Sequence, residues 1–276
     1  MKKAFYFLLC LCACSYQEAG AHEATADLMH YTLHNQRNRE AENGEYPNNF
    51  IKLNLTSLCL GNISLQYERA LSRHFSAALG YRWMPKGRLP MRNTVLNLLD
   101  KYADLSDQKD NVRNILHSAT LGAHVITPEV RFYTGQNNKG FYLGLFGRIE
   151  NYSAHIPSIN FEIDKEPMSA TMDIRYNAIG IGLQLGVQFR LPRNFYLDWW
   201  ISGPYITHSD LHLNAYNYQV APEDFKKFEE EFKGNIIIDN KYFTANANVG
   251  PNASTAKATG NLPGIRGMGL CLAYRF

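Results

Sequence analysis

The chain has 276 residues, with 28 Lys plus Arg against 25 Asp plus Glu, which gives a formal net charge of +3. So small an excess of positive charge excludes a nucleic-acid binder that works by neutralising many phosphates. Hydrophobic residues make up 45% of the chain and aromatic residues 13%, a content that excludes a disordered chain.

The first residues have the composition of a secretory signal peptide. Lys2 and Lys3 precede an apolar run that ends at Cys14, and Ala19-Gly20-Ala21 offers the small residues of a cleavage site. We expect export and cleavage after residue 21, which leaves 26 basic and 24 acidic residues, a net charge of +2. The alternative is a lipoprotein signal in which Cys14 becomes the acylated first residue.

Alternation with a period of two dominates the rest of the chain. No stretch of 18 apolar residues follows the signal, so any membrane span must consist of strands. From Ala178 to Leu191, large apolar residues at odd positions alternate with small or polar residues at even positions, which predicts a sheet with one apolar face. The same pattern predicts eight strands, at residues 51–55, 63–71, 75–83, 120–134, 141–152, 178–191, 195–202 and 265–276.

The connections between these strands alternate in length. The second, fourth and sixth are tight turns, at residues 72–74, 135–139 and 192–194. The third, fifth and seventh are long, at residues 85–118, 153–174 and 207–264, and only the first, 58–62, breaks the trend. Short turns at one rim and long loops at the other are typical of a barrel inserted from one side of a bilayer. We therefore predict an all-β, eight-stranded antiparallel up-and-down transmembrane β-barrel over residues 49–276, preceded by a polar periplasmic leader over residues 22–48.

Two of the long connections contain helical patterns. Val95, Leu98, Leu99 and Tyr102 form a helical stripe in the third connection, and Phe225, Phe228 and Phe232 form one in the seventh. We expect short extracellular helices that pack on the barrel mouth, with binding of a partner or of lipid as the alternative. Residues 244–261, rich in Ala, Asn, Thr and Gly, are expected to form a mobile loop tip.

The C-terminal strand carries the most specific resemblance to a known family. Its predicted outward positions are Met268, Leu270, Leu272, Tyr274 and Phe276. This ending resembles the small outer-membrane β-barrels of Gram-negative bacteria, of the eight-stranded type represented by the OmpA transmembrane domain. The resemblance implies an outer-membrane location and implies that the barrel assembly machinery reads these five residues. Residues 57–69 also resemble the opening of uncharacterised barrel proteins common in Bacteroidetes.

The predicted inward faces hold nine charged residues: Lys52, Glu68, Arg82, Glu129, Arg131, Arg148, Glu150, Arg190 and Asp198. The interior of an eight-stranded barrel is only wide enough for side chains to fill, so we expect opposite charges to pair into a plug. A narrow gated ion channel, in which the pairs exchange partners, is the alternative.

No metal or cofactor site is predicted. His208, Asp210 and His212 share one face of a strand, but histidines four residues apart on a strand are about 13 Å apart, too far to share one ion. We expect neither a metal nor a cofactor.

An enzyme is the rival functional class, because some small outer-membrane barrels modify lipid A. The family of lipid A deacylases places a His-x-Ser pair near the outer leaflet, and the only such spacing here is His74-x-Ser76. That pair falls at a tight periplasmic turn, so we expect no catalytic site. The predicted role is structural or interactive, with outer-membrane lipids and lipopolysaccharide, the assembly machinery and an extracellular protein as partners.

Overall fold

The computed structural model describes residues 49–88, 92–93, 96–97, 109–135, 137–163, 166–220, 222, 224–236, 238–239 and 243–276. The predicted signal peptide, the leader over residues 22–48 and the stripe of Val95, Leu98, Leu99 and Tyr102 lie outside the described residues.

Antiparallel strands make up most of the described chain. They are β1 (Asn49–Asn54), β2 (Ile63–Ala70), β3 (Phe75–Arg88), β4 (Thr120–Tyr133), β5 (Gly140–Ile163), β6 (Glu166–Arg190), β7 (Phe195–Tyr216), β8 (Ile238–Asp239), β9 (Phe243–Val249), β10 (Ala253–Arg266) and β11 (Gly269–Arg275). Three helices have described bounds, α1 (Leu55–Cys59), α2 (Lys109–Ser118) and α3 (Phe225–Ile236), and residues 92–93 and 96–97 are helical as well. Within the described residues, none of the helices combines the length and the apolar composition that a bilayer crossing requires.

Strands β1 to β7 and β11 close into a ring. Each pairs with its neighbour in the chain from β1 to β7, and β11 pairs with both β7 and β1. The prediction of an all-β antiparallel barrel is therefore confirmed. β10 pairs with the far half of β7 and with β9, and β9 pairs with β8, so these three strands extend the sheet beyond one rim.

The tight turns lie together at the other rim, which we call the short-turn rim. Residues 71–74, 134–139 and 191–194 connect the strands there, as predicted. Arg193 and Asn194 both have positive φ angles, 57° and 63°, the conformation that lets a two-residue hairpin match the twist of its strands. The opposite rim is called the long-loop rim.

The first connection differs from the prediction. The predicted strand over residues 51–55 ends at Asn54, and a short helix, α1, replaces the turn expected at 58–62. The cause is the Asn54 side chain, whose Oδ1 accepts a hydrogen bond from the Ser57 backbone N–H at 2.9 Å. Asparagine is a preferred helix N-cap because this bond satisfies a donor that the first turn leaves free.

Two predicted long loops are largely strands, and those predictions were wrong. Residues 153–163 continue β5 and residues 166–174 belong to β6, whereas residues 207–264 include the end of β7, α3, β8, β9 and most of β10. The predicted loop tip at 244–261 is mainly the β9–β10 hairpin. The third connection is also shorter than expected, since β3 continues to Arg88 and α2 precedes β4.

The prediction missed these extensions because the polarity of the two faces is reversed there. In the ring, apolar residues of β6 such as Leu183 point outward and Gln184 points inward. Farther along, Leu211 and Leu213 of β7 are buried while His212 between them is exposed. Alternation persists, but the apolar face is now the inner one, as in a sheet surrounded by water.

A phase change also separates β10 from β11. The buried positions are even-numbered up to Arg266 and odd-numbered from Gly269 onward. The neighbouring strand β7 changes phase at the same level, where its register with β6 shifts near Leu185 and Gly186. This shift carries Arg266 to the inner face, although the pattern of the last strand assigns it to the outer face.

Candidate functional site in the barrel lumen

The outer face of the ring is an apolar belt. On β5 its members run from Phe141 to Ile149, nine residues, which is about the length that a tilted strand needs to cross a hydrocarbon layer. We define the apolar belt by its exposed large side chains: Ile51, Ile63, Leu65, Leu79, Ile126, Val130, Phe132, Phe141, Leu143, Leu145, Ile149, Ile179, Ile181, Leu183, Leu185 and Ile206.

A polar row marks where the belt ends on the long-loop side. The boundary row consists of His124, Asn151, Asn177, Asp210 and Thr259, and each of these is the cross-strand partner of the next. Asn151 donates to Asn177 Oδ1 at 2.7 Å, and Thr259 donates to Asp210 Oδ1 at 2.8 Å. Five strands thus change from apolar to polar at one level.

Beyond the boundary row lies a part that we call the cap, the described residues within 109–120, 152–176 and 211–258. Its interior is apolar and includes Ile156, Ile174 and Leu213 in one cluster, and Tyr218 and Phe228 in another. The predicted packing of α3 on the mouth is confirmed for Phe225 and Phe228, whereas the side chain of Phe232 lies outside the described residues.

The outer face of the cap is polar. His155 Nδ1 lies 2.7 Å from Asp173 Oδ1, and this hydrogen bond holds the pKa of the Asp173 carboxyl below its usual value. Arg175 and His212 are cross-strand partners beside this pair, and both are exposed. The cap therefore presents mixed charges to its surroundings rather than the aliphatic surface of the ring.

Inside the ring, five of the nine predicted lumen charges form one fully buried group. We call Lys52, Glu68, Glu129, Arg131 and Asp198 the lumen cluster. They come from four strands, β1, β2, β4 and β7, and each occupies an inward position of the alternation. Ring closure therefore brings together residues up to 146 positions apart in the chain.

Arg131 is the centre of the lumen cluster. Its Nε donates to Glu129 Oε1 at 2.7 Å, and its Nη1 donates to Asp198 Oδ2 at 2.7 Å and Glu68 Oε2 at 3.1 Å. The guanidinium also lies over the Tyr142 ring, with 4.5 Å from Cζ to the ring centroid. A planar guanidinium with five donors suits such multiple pairing, which an ammonium cannot reproduce.

Lys52 supplies the second cation of the cluster. Its ammonium lies 2.6 Å from both Glu68 Oε2 and Asp198 Oδ2, and it donates to Gln188 Oε1 at 2.5 Å. Three acceptors for three donors satisfy the ammonium completely. A buried charge needs this kind of pairing, because an unpaired ion in a low dielectric is costly.

Neutral side chains complete the cluster. Tyr133 donates to Glu68 Oε1 at 2.7 Å, Tyr142 donates to Asp198 Oδ1 at 2.8 Å, and Gln66 accepts from Arg131 at 2.9 Å. Sequence reasoning missed these residues because it followed only charges. Their inward positions in the alternation could have identified them, since Gln66 precedes Glu68 by two residues and Tyr133 follows Arg131 by two.

Arg266 is the other missed member of the site. It donates to Glu129 Oε2 at 2.9 Å and stacks 3.8 Å above the Trp200 ring. With Arg266 included, three cations face three carboxylates at this level of the lumen. The phase change before Gly269 concealed this residue from the sequence pattern.

The remaining predicted lumen charges lie elsewhere. Arg148 and Glu150 form a buried pair closer to the long-loop rim, in which Arg148 Nε donates to Glu150 Oε1. Arg82, partly buried, donates to the Tyr152 hydroxyl and lies over its ring. Arg190 is exposed at the short-turn end of β6 and stands apart from the cluster.

A cavity lies next to the cluster on the side of the long-loop rim. Its volume is about 40 Å³. Its walls carry three arginines, Arg82, Arg148 and Arg266, and the aromatic residues Tyr152 and Trp200. The lumen is thus filled by charged side chains at one level and contains a small cavity at the next.

The predicted assembly residues all lie on the outer side of the last strand. Met268, Tyr274 and Phe276 are exposed, and Leu270 and Leu272 are half-buried. His208, Asp210 and His212 share one face of β7, as the sequence suggested, but His208 contacts Asn261 at 3.0 Å and Asp210 accepts from Thr259. The described residues hold no group of three or more His, Cys, Asp or Glu suited to a metal ion.

His74 and Ser76 lie at the short-turn rim. His74 Nδ1 is 3.0 Å from the Tyr133 carbonyl oxygen, and Ser76 is fully buried on the inner face of β3. The ring nitrogen that contacts this carbonyl is engaged by the backbone of β4.

Residues 32–241 match the family described as "Protein of unknown function (DUF3575)". No curated protein matches the chain in sequence. The crystal structure of CarO from Acinetobacter baumannii is 9% identical over 84% of this chain and 98% of that chain, with a TM-score of 0.32. A major outer membrane protein from Thermus thermophilus is 12% identical over 83% of this chain and 99% of that chain, with a TM-score of 0.34. At TM-scores this low, neither likeness bears on what this chain does.

Proposed function

The chain belongs to DUF3575, a family of proteins of unknown function, and we propose from its geometry that it is an outer-membrane barrel with a closed lumen. Its proposed role is structural or interactive, and the cap is the part that would make the contacts. Its resemblance to OmpA-type barrels is limited to the architecture. The observation that carries this proposal is the lumen cluster, in which Arg131 joins three carboxylates from three strands.

The membrane location is supported by the belt and the boundary row together. Contiguous apolar patches of more than a few hundred Å² are rare on soluble monomers, whereas a lipid-facing barrel requires an apolar band about 25 Å tall. The boundary row, which begins at His124 on β4 and ends at Thr259 on β10, lies at the edge of that band on five neighbouring strands. Outer-membrane lipids and lipopolysaccharide are the partners that such a band contacts, and the barrel assembly machinery is the partner during insertion.

Conductance across a planar bilayer tests the closed lumen. The refolded full chain is expected to give no stable open-channel steps, because the lumen cluster fills the interior. The double variant Lys52→Ala with Asp198→Ala removes one cation and one anion, leaves the net charge unchanged and is expected to conduct. Stable steps in the unaltered protein equal to those of the double variant would favour the gated channel instead.

The cap is proposed to face the cell exterior and to meet a protein partner there. Its mixed polar surface, with Arg175 and His212 exposed, supports contact with another protein rather than with lipid. In a Cys59→Ser background, Lys257→Cys on β10 is expected to react with a membrane-impermeant maleimide on intact cells, and Arg193→Cys at the short-turn rim is not. The reverse labelling would place the cap on the inner side.

The absence of catalysis is part of the proposal. The mass spectrum of lipid A from cells that make the protein is expected to equal that from cells without it. A mass change that disappears in the His74→Ala variant would favour a lipid A-modifying enzyme.

A further inference from the structure

The wall of the ring is interrupted on the long-loop side between β2 and β10. β1 stops at Asn54, its last partner on β11 being Cys271, and α1 follows it. Farther along, β10 pairs with β7 and β9, and no pairing joins it to β2 among the described residues. The short helix α1 occupies this place in the ring, where a ladder of hydrogen bonds would otherwise continue.

The cavity lies beside this interruption. Its walls include Ser64 of β2 and Ile265 of β10, the two strands on either side of the interruption, and Ser57 of α1. The lumen cluster borders the cavity on the side of the short-turn rim. On the opposite side, Tyr152 lies between the cavity and the apolar interior of the cap. The cavity therefore adjoins a break in the wall of the ring, at the edge of the apolar belt.

Charge is not balanced on the walls of the cavity. Arg266 is paired with Glu129, and Arg148 is paired with Glu150. Arg82 has no carboxylate partner in the described part of the chain, and its contacts are the hydroxyl and the ring of Tyr152. The cavity wall thus carries one positive charge that no acidic side chain offsets.

The hydrogen bonds of Arg82 are incomplete as well. Its Nε is buried and has no partner among the described residues. A buried donor without an acceptor costs about 1–3 kcal/mol, and more when the group is charged. An anion that accepts from this guanidinium would recover that free energy, and a phosphate or carboxylate matches the fork of donors.

We propose that the cavity is a binding site for a single phosphate or carboxylate group, held by Arg82 and admitted through a lateral mouth between β2 and β10. The hydroxyl group of Ser64 on the same wall is a further donor for such a group. The chemistry is shared by a free anion and by the headgroup of an anionic lipid. The lateral mouth at the edge of the belt gives a lipid direct access, and that route rests on the proposed membrane location.

Binding to the full chain in nonionic detergent tests the site. Tryptophan fluorescence is the readout, because Trp200 lines the cavity. The probes are inorganic phosphate, dihexanoyl phosphatidic acid and, as a neutral comparison, dihexanoyl phosphatidylcholine. Phosphatidic acid is expected to bind saturably, and phosphatidylcholine is expected to cause no change in fluorescence. Arg82→Gln is expected to weaken the binding of phosphatidic acid at least tenfold. Arg190→Gln, which alters an exposed arginine, is expected to leave that binding unchanged.

The outcomes distinguish a free anion from a lipid headgroup, and they distinguish failure of the anion site from failure of the proposed membrane barrel. Binding of phosphate as tight as that of phosphatidic acid identifies a free anion, and much tighter binding of phosphatidic acid identifies a lipid. Absence of saturable binding for both anions, or equal binding by Arg82→Gln in a variant that keeps its heat-modifiable gel migration, overturns the site. Loss of that migration in the unaltered protein would instead contradict the barrel in lipid, so the two failures are distinguishable.

Discussion

Arg131 on β4 and Asp198 on β7 meet at 2.7 Å between Nη1 and Oδ2, although 67 residues separate them and both side chains are fully buried. The contact crosses the lumen, because β4 and β7 are not neighbours in the ring. It joins two strands that share no backbone pairing, and the Arg131–Glu68 pair joins β4 to β2 in the same way. A cross-lumen pair of this kind stabilises one arrangement of the barrel rather than adding stability to a single strand pairing.

Replacement of Arg131 by Met is expected to destabilise the barrel strongly. The variant leaves Glu68, Glu129 and Asp198 with only Lys52 and Arg266 as cations. Breaking a buried ion pair by removing one partner typically costs about 3–5 kcal/mol. Urea unfolding in detergent micelles, followed by tryptophan fluorescence, measures the change.

The matched control is Arg190→Met, since Arg190 is exposed at the short-turn end of β6. Its free energy of unfolding is expected to stay within about 0.5 kcal/mol of the unaltered protein. Equal stabilities for the two variants would show that the lumen cluster contributes nothing beyond ordinary surface charges.

Replacement of Gly186 by Ala is expected to disturb the lumen through Tyr142. A Cβ at position 186 would lie 2.4 Å from Cζ and Oη of Tyr142, whose hydroxyl donates to Asp198. Overpacking of this kind costs about 1–3 kcal/mol. The measurement is again urea unfolding.

Gly80→Ala serves as the comparison, because it adds the same methyl group to the same inner face of the ring. Its Cβ would have no neighbour closer than 3.6 Å, so we expect no loss of stability and a gain of up to about 1 kcal/mol from the reduced freedom of the unfolded chain. A larger loss in Gly80→Ala than in Gly186→Ala would contradict the placement of Tyr142.

The alternation of the sequence was sufficient to predict the ring, since outward-facing and lumen-facing positions differ in size and polarity. It assigned Lys52, Glu68 and Arg131 to the inner face, because their parity within each strand is unambiguous. It could not say which charges meet. That depends on the register of β4 opposite β7, which no local pattern encodes.

Two physical effects explain why the full length of the strands and the position of Arg266 could not be predicted from the sequence. Beyond the boundary row the apolar face changes sides, so a search for lipid-facing residues ended β5 and β7 too early. The phase change at Gly267 and Met268 moved Arg266 inward without any change in the local composition. Residues of the cap such as Leu211 and Leu213 follow the pattern of a water-soluble sheet.

The apolar belt predicts a depth-dependent cost for charged residues. Leu183 is exposed near the middle of the belt on β6, and Asn177 lies on the same face of β6 in the boundary row. In a bilayer, Leu183→Arg is expected to cost about 2–4 kcal/mol and Asn177→Arg about 0–1 kcal/mol. Unfolding by guanidinium chloride in lipid vesicles measures both.

The comparison distinguishes lipid from water around the ring. On a protein surrounded by water, an arginine at exposed position 183 would cost little, and the two variants would be equally stable. Equal costs in vesicles would therefore contradict the membrane location, whatever the behaviour of the lumen.

Replacement of Phe228 by Ala is expected to loosen the cap while the ring stays intact. Phe228 is buried against Tyr218, with ring centroids 5.5 Å apart, and packs with Val220 and Val249 in a cluster separate from the lumen. Truncation of a buried phenylalanine costs about 3–5 kcal/mol. Because local openings need less free energy than global unfolding, that cost is expected to appear as opening of the cap alone.

Proteinase K is expected to cut the variant within residues 217–252 at least tenfold faster, while heat-modifiable gel migration of the ring persists. Lys226→Ala, an exposed position of the same helix, is expected to resist cleavage like the unaltered protein; simultaneous loss of the ring in Phe228→Ala would show that cap and barrel unfold as one unit.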